Sequence, residues 1–127
     1  MNAITTPTAP LPVGPYSQGM VTTSLVWTSG QIGLDQTGTL VATTFEDEVT
    51  QVVLNLKAVL EAGGSGLPFL IKTTVYLTDL SLFDRFNRIY EAMVTHPYPA
   101  RTTIQVSALP KGATIEIEGI GLIPHSG

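Results

Sequence analysis

The chain has 127 residues, of which 43% are hydrophobic and only 13% charged, against about a quarter charged in an average soluble domain. This composition excludes a disordered polar tail, and the absence of cysteine excludes disulfides, thiolate metal sites and a cysteine nucleophile. Six Lys and Arg against ten Asp and Glu give a net charge of −4, and the cations are scattered apart from the pair Arg85 and Arg88, which disfavours a nucleic-acid partner.

Residues 1–12 carry Pro7, Pro10 and Pro12 and read as an extended arm. The arm has no basic residue ahead of an apolar stretch, so it is not a secretory signal, and no apolar run is long enough to span a membrane. A cytoplasmic protein is expected. After the turn Gly14-Pro15-Tyr16, residues 19–23 and 25–29 are strand candidates, followed by a loop from Leu34 to Gly38. Thr44 with Asp47 three residues on resembles a capping box. Phe45, Val49, Val52, Val53, Leu56, Val59 and Leu60 then draw a helical stripe that Gly63-Gly64 ends.

Residues 69–77 alternate as a strand. Ser81 with Asp84 opens a second helix whose stripe runs through Leu82, Phe83, Phe86, Ile89, Tyr90 and Met93, with Pro97 and Pro99 beyond it. Residues 102–107 and 113–123 are strands on either side of the turn Leu109-Pro110-Lys111-Gly112, which predicts a hairpin between them. The whole chain, 1–127, reads as a single α+β domain with a mixed sheet, two helices on one face, and a tail over 124–127.

Two helices cover one sheet face, and the other is not polar. In the last strand Ile120 and Leu122 share a face with Glu116 and Glu118, opposite Ile115 and Ile117. An uncovered apolar face predicts a homo-oligomer. Glu116 and Glu118 then fall between subunits, where a carboxylate requires a partner, and the predicted hairpin brings Arg101 toward Glu116.

Neither His96 nor His125 has metal-ligand spacing to other donors, and no phosphate-binding loop or nucleophile elbow is present, so no metal and no cofactor is expected. Arg101 and Glu116 have an ordinary reading as a salt bridge that fixes an interface. Their functional reading is a guanidinium gripping a small carboxylate by two hydrogen bonds beside a carboxylate that handles a water. Spacing alone leaves both open.

The segments Gly14-Pro15-Tyr16-Ser17-Gln18, Thr28-Ser29-Gly30-Gln31-Ile32, Val75-Tyr76-Leu77-Thr78-Asp79, Pro99-Ala100-Arg101 and Leu109-Pro110-Lys111-Gly112 through Ile115-Glu116-Ile117-Glu118 resemble, in order, the RidA (YjgF/YER057c/UK114) family. The resemblance covers nearly the whole chain. It implies a chorismate-mutase-like fold, a homotrimer with active sites between subunits, and cofactor-independent hydrolysis of 2-aminoacrylate and related imines to 2-oxo acids and ammonia. Carried over by position, Arg101 is the carboxylate-binding residue and Glu116 the water-activating one. Tyr16, Ser29, Gly30, Asn87 and Thr103 line the implied pocket. Thr102 stands where many relatives have a smaller residue and Thr103 where some have cysteine, which bears on the side chains accepted. The alternatives are a small oxo-acid binding module without turnover, and a ribonuclease or translation inhibitor, against which the acidic charge weighs.

Overall fold

The structure, a computed structural model, describes residues 1–125. The tail predicted over 124–127 therefore lies partly outside the described residues. Helix α1 (Phe45–Ala62) forms where its apolar stripe is unbroken, and Val49, Val52, Val53, Leu56, Val59 and Leu60 are all buried. Thr44 caps it in extended conformation, its hydroxyl accepting from the Asp47 N–H at 3.0 Å. The reciprocal half of the box is missing because the Asp47 carboxylate instead accepts from the Thr43 hydroxyl at 2.6 Å. Gly64, at φ +92°, supplies the left-handed residue past the helix end.

Six strands make one sheet: β1 (Asn2–Ile4), β2 (Gly19–Val21), β3 (Leu25–Thr28), β4 (Leu70–Leu77), β5 (Ala100–Gln105) and β6 (Ile115–Leu122), in the order β1-β2-β3-β6-β4-β5. The arm is thus not merely extended, since Asn2–Ile4 pairs antiparallel with Gly19–Val21. Three residues are too few to show an alternation in sequence. The hairpin predicted between the last two strands does not form. β5 lies parallel to β4 at the sheet edge, and β6 is inserted antiparallel between β3 and β4. Parallel neighbours need a crossover, and α2 (Phe83–Met93) is that crossover. Helix α2 also starts later than its sequence suggests. Ser81 sits inside a 3₁₀ turn (Leu80–Leu82) that Asp79 caps by accepting from the Ser81 N–H at 2.9 Å.

One face of the sheet is packed under the helices through Val26, Thr73, Val75, Leu77, Ile115 and Ile117, all buried. A Cβ on Gly121 would collide with Ser65 Oγ and stand 2.9 Å from Leu60 Cδ2 of α1. The two glycines of β6 therefore admit a close neighbour, and the irregularity in the sheet lies between Leu70 and Lys72 of β4. The opposite face carries no helix. Trp27, Ile104 and Leu122 project from it, 41–44% exposed, among Lys72, Glu116 and Glu118. Among the described residues no helix is long and apolar enough to cross a membrane.

Candidate active site

The residues singled out in the sequence fall into two clusters on opposite faces of the sheet. Arg101 pairs with Thr73 on β4, and Glu116 pairs with Tyr76 on the other side of the same strand. β4 thus separates them by two strand spacings, about 10 Å, and the register offsets them by three residues along it, about 10 Å more. Their side chains also diverge. Arg101 points toward α2, whereas Glu116 alternates with the buried Ile115 and Ile117 and points to the uncovered face. Within one chain the convergence expected from a hairpin does not occur, because β4 occupies the place the hairpin would have given to β5.

The first cluster lies in a cleft of about 500 Å³ between α2 and the start of β5. Residues at i, i+3 and i+7 of α2 fall on one side of the helix, so Phe83, Phe86 and Tyr90 form an aromatic seat. The Arg101 guanidinium carbon stands 5.5, 5.2 and 4.9 Å from their ring centres. Among the described residues no carboxylate pairs with Arg101, the one ion pair being Arg85–Glu46. The salt-bridge reading is therefore not met inside the chain. Asn87 lines the same cleft from mid-helix, where it caps neither end. Thr103, two residues along β5, has a buried hydroxyl without a hydrogen-bond partner. Tyr90 is anchored by the Thr73 hydroxyl at 2.7 Å, and burial raises its phenol pKa against the opposing effects of Thr73 and Arg101.

The second cluster occupies a cleft of about 330 Å³ lined by Tyr16, Thr28, Ser29, Gly30, Glu116 and Glu118. The β3–β6 ladder stops at Trp27–Ile120 and resumes at Gln31–Ile117, leaving Thr28, Ser29 and Gly30 opposite only Glu118 and Gly119. That extra residue loops out of the ladder, and the Glu116 carboxylate folds over it. A Cβ on Gly30 would collide with Glu116 Oε2 and stand 2.6 Å from its Cδ, so a side chain at position 30 and this carboxylate position exclude each other. Ser29 is pinned, its N–H donating to the Gln18 carbonyl at 2.9 Å and its hydroxyl to the Ser17 carbonyl at 2.5 Å. Tyr16 stands half-exposed at the rim, its hydroxyl accepting from the Val13 N–H at 3.2 Å.

Burial raises the pKa of Glu116, and the like charge of Glu118 adds to the effect. Glu118 accepts a 2.5 Å hydrogen bond from Tyr76, whose pKa is pushed up to about 12 by that bond and by burial. Tyr76 therefore remains a donor and holds Glu118 beside Glu116. Sequence reasoning did not single out Tyr76, because nothing local says which residue of β4 faces which residue of β6. It treated Phe83, Phe86 and Tyr90 only as a core stripe. A tyrosine hydroxyl within that stripe, opposite a threonine strand, was the available signal. Among the described residues no group of three or more His, Asp or Glu could hold a metal ion.

Residues 6–123 match the family model described as Endoribonuclease L-PSP. A RutC family protein of Pyrococcus horikoshii is 43% identical over 118 residues, 92% of this chain and 94% of that protein. The human 2-iminobutanoate/2-iminopropanoate deaminase is 40% identical over 120 residues, 94% of this chain and 88% of that one. The crystal structure of RidA from the Antarctic bacterium Psychrobacter sp. superimposes with a TM-score of 0.93 at 44% identity, covering 97% of this chain and all of that one. The Escherichia coli YjgF gene product gives 0.91 at 36% identity over 98% of this chain and all of that one. With the same six-stranded sheet and two helices as these proteins, the chain belongs to the endoribonuclease L-PSP family, that of the YjgF/RidA proteins.

Proposed function

We propose that the protein hydrolyses small 2-imino acids to 2-oxo acids and ammonia at sites shared between the subunits of a homotrimer. One observation carries this reading. The unpaired guanidinium and the Glu116 carboxylate sit on opposite faces of one chain, each in an open cleft, so they can meet only when one protomer's helix side abuts another's uncovered face. Such packing also covers Trp27, Ile104 and Leu122. The deaminase names of the relatives support the same chemistry.

In this reading Arg101 of one protomer binds the substrate carboxylate through its two-pronged face. Asn87 offers a further polar contact beside it, while the buried Thr103 hydroxyl is not among the groups lining that cleft. The carbon of a protonated imine is already electrophilic. Glu116 of another protomer takes one proton from a water as its oxygen attacks that carbon, giving a carbinolamine, and delivers that proton to the amino nitrogen. As the C–N bond breaks and ammonia leaves, the carboxylate takes the remaining hydroxyl proton from the forming 2-oxo group and passes it to the departing ammonia. The water and the iminium ion are thereby converted to a 2-oxo acid and ammonium, with every proton accounted for.

The test is the release of 2-oxo acid from an enamine generated by threonine or serine dehydratase, together with solution mass. Formation faster than spontaneous hydrolysis, by a species of three chains, is expected. A stable monomer, or no acceleration, refutes the proposal. RNA cleavage, the activity in the family's name, is not favoured by a chain with net charge −4. Gly30→Ala is expected to lower turnover by about 10²-fold or more, on the scale of a displaced general base. Its effect on unfolding should be small, because the obstacle to the new Cβ is the movable end of Glu116. Steady-state rates compared with thermal melts check this.

A further inference from the structure

Beside the Glu116 cleft lies a hollow of about 160 Å³ that the mechanism does not use. The two spaces share Tyr16, Gly30, Pro110 and Glu116 as lining residues, so they adjoin at the carboxylate. Beyond that point the walls are mainly apolar, formed by Leu11 of the arm and the adjacent Val13 together with Ile32 and Leu34. Both walls are pinned by buried amides. Gln18 donates to the carbonyls of Thr6, Ala9 and Pro10 at 2.9–3.2 Å and accepts from the Thr6 N–H at 2.7 Å. Asn55 donates to the carbonyls of Ile32 and Leu34 at 3.0 and 2.8 Å. Buried side chains so fully engaged make the hollow a built feature of the fold.

We infer that this hollow is the side-chain subsite of the reaction and selects 2-imino acids bearing branched or aromatic apolar side chains. The inference rests on the deaminase reading. An apolar cavity of about 150 Å³ accepts a benzene molecule. By that measure 160 Å³ receives an isobutyl or phenyl group, while a methyl group leaves most of the hollow unfilled. Each methylene taken out of water favours binding about four-fold. The exchange of methyl for isobutyl adds three carbons. Apart from Glu116, the only charge on the lining is Lys111.

The test compares imines generated by amino-acid oxidases from L-alanine, L-leucine, L-phenylalanine and L-glutamate, following 2-oxo acid formation above the spontaneous rate. The kcat/KM for the leucine- and phenylalanine-derived imines is expected to exceed that for the alanine-derived one by about ten-fold or more. Ile32→Phe, which fills the hollow, is expected to erase most of that preference. Leu11→Ser should reduce it in the same direction, and at a position 66% exposed it asks little of folding. Equal kcat/KM for the alanine and leucine imines overturns the inference. So does preference for the glutamate imine, which would assign the hollow to Lys111 and a second carboxylate. If no imine is turned over, the deaminase reading fails instead. Calorimetry with the stable acids 4-methyl-2-oxopentanoate and 2-oxopropanoate then decides the subsite, and equal binding, or none, defeats it.

Discussion

Arg101→Ala is expected to lower kcat/KM for small 2-imino acids by about 30- to 800-fold, the equivalent of roughly 2–4 kcal/mol lost with one partner of a desolvated charge pair. The guanidinium has no anionic partner among the described residues and rests on Phe83, Phe86 and Tyr90, so its donors are free for an incoming carboxylate. Arg101→Lys retains the charge but loses both the fork and the planar stack on the rings, and should recover only a small part of the rate. Arg101 is half-buried on an edge strand and takes part in no ion pair among the described residues, so its removal breaks no salt bridge of the fold. A loss of rate with unchanged solution mass and melting temperature is therefore the expected pattern. Rates within two-fold of the parent for both variants would falsify the assignment of Arg101 as the carboxylate site.

The second large effect concerns Glu116 and its charged neighbour. Glu116→Gln removes the proton carrier, and a loss of about 10²–10⁴-fold in kcat is expected. Glu118→Gln should leave a working enzyme with a displaced pH profile, and its direction follows from the charges. Burial and the Glu118 carboxylate both raise the Glu116 pKa, and the base form of Glu116 is lost as the pH falls through that raised value. Neutralising Glu118 makes ionisation of Glu116 easier, so the acidic limb of kcat moves to lower pH. In the assembled site a neighbouring Arg101 opposes this effect, but a bound carboxylate occupies Arg101, and kcat reports the substrate-bound enzyme. A limb that stays in place in Glu118→Gln, or moves to higher pH, excludes the coupling.

The helices were legible in the sequence because their signals are local. The α1 stripe and its Thr44 cap are read within a few residues of themselves, and the buried positions coincide with that stripe. The strand cores around residues 25–28, 70–77 and 115–122 were legible for the same reason, through alternation. Pairing was not legible. Residues 102–107 and 113–123 with a Pro-Lys-Gly turn between them have every local mark of a hairpin, yet the turn is a 3₁₀ segment and β6 finds both its partners elsewhere. Strand partners are selected by burial over the entire sheet, which a short window does not contain. The same reason hid Tyr76 opposite Glu116, and the aromatic seat that α2 offers Arg101.

By itself the sequence determined the α+β class and the apolar uncovered face, because composition and periodicity are properties of the chain, whereas the candidate site residues rested on the family resemblance. Only the tertiary structure decided that Arg101 and Glu116 face away from each other across β4, that Gly30 leaves room for a carboxylate, and that the N-terminal arm walls a hollow beside it. These are facts of register and through-space approach. They arise when distant segments bury one another's surface, and an edge strand delivered by a helical crossover carries no mark of its neighbour in its own residues.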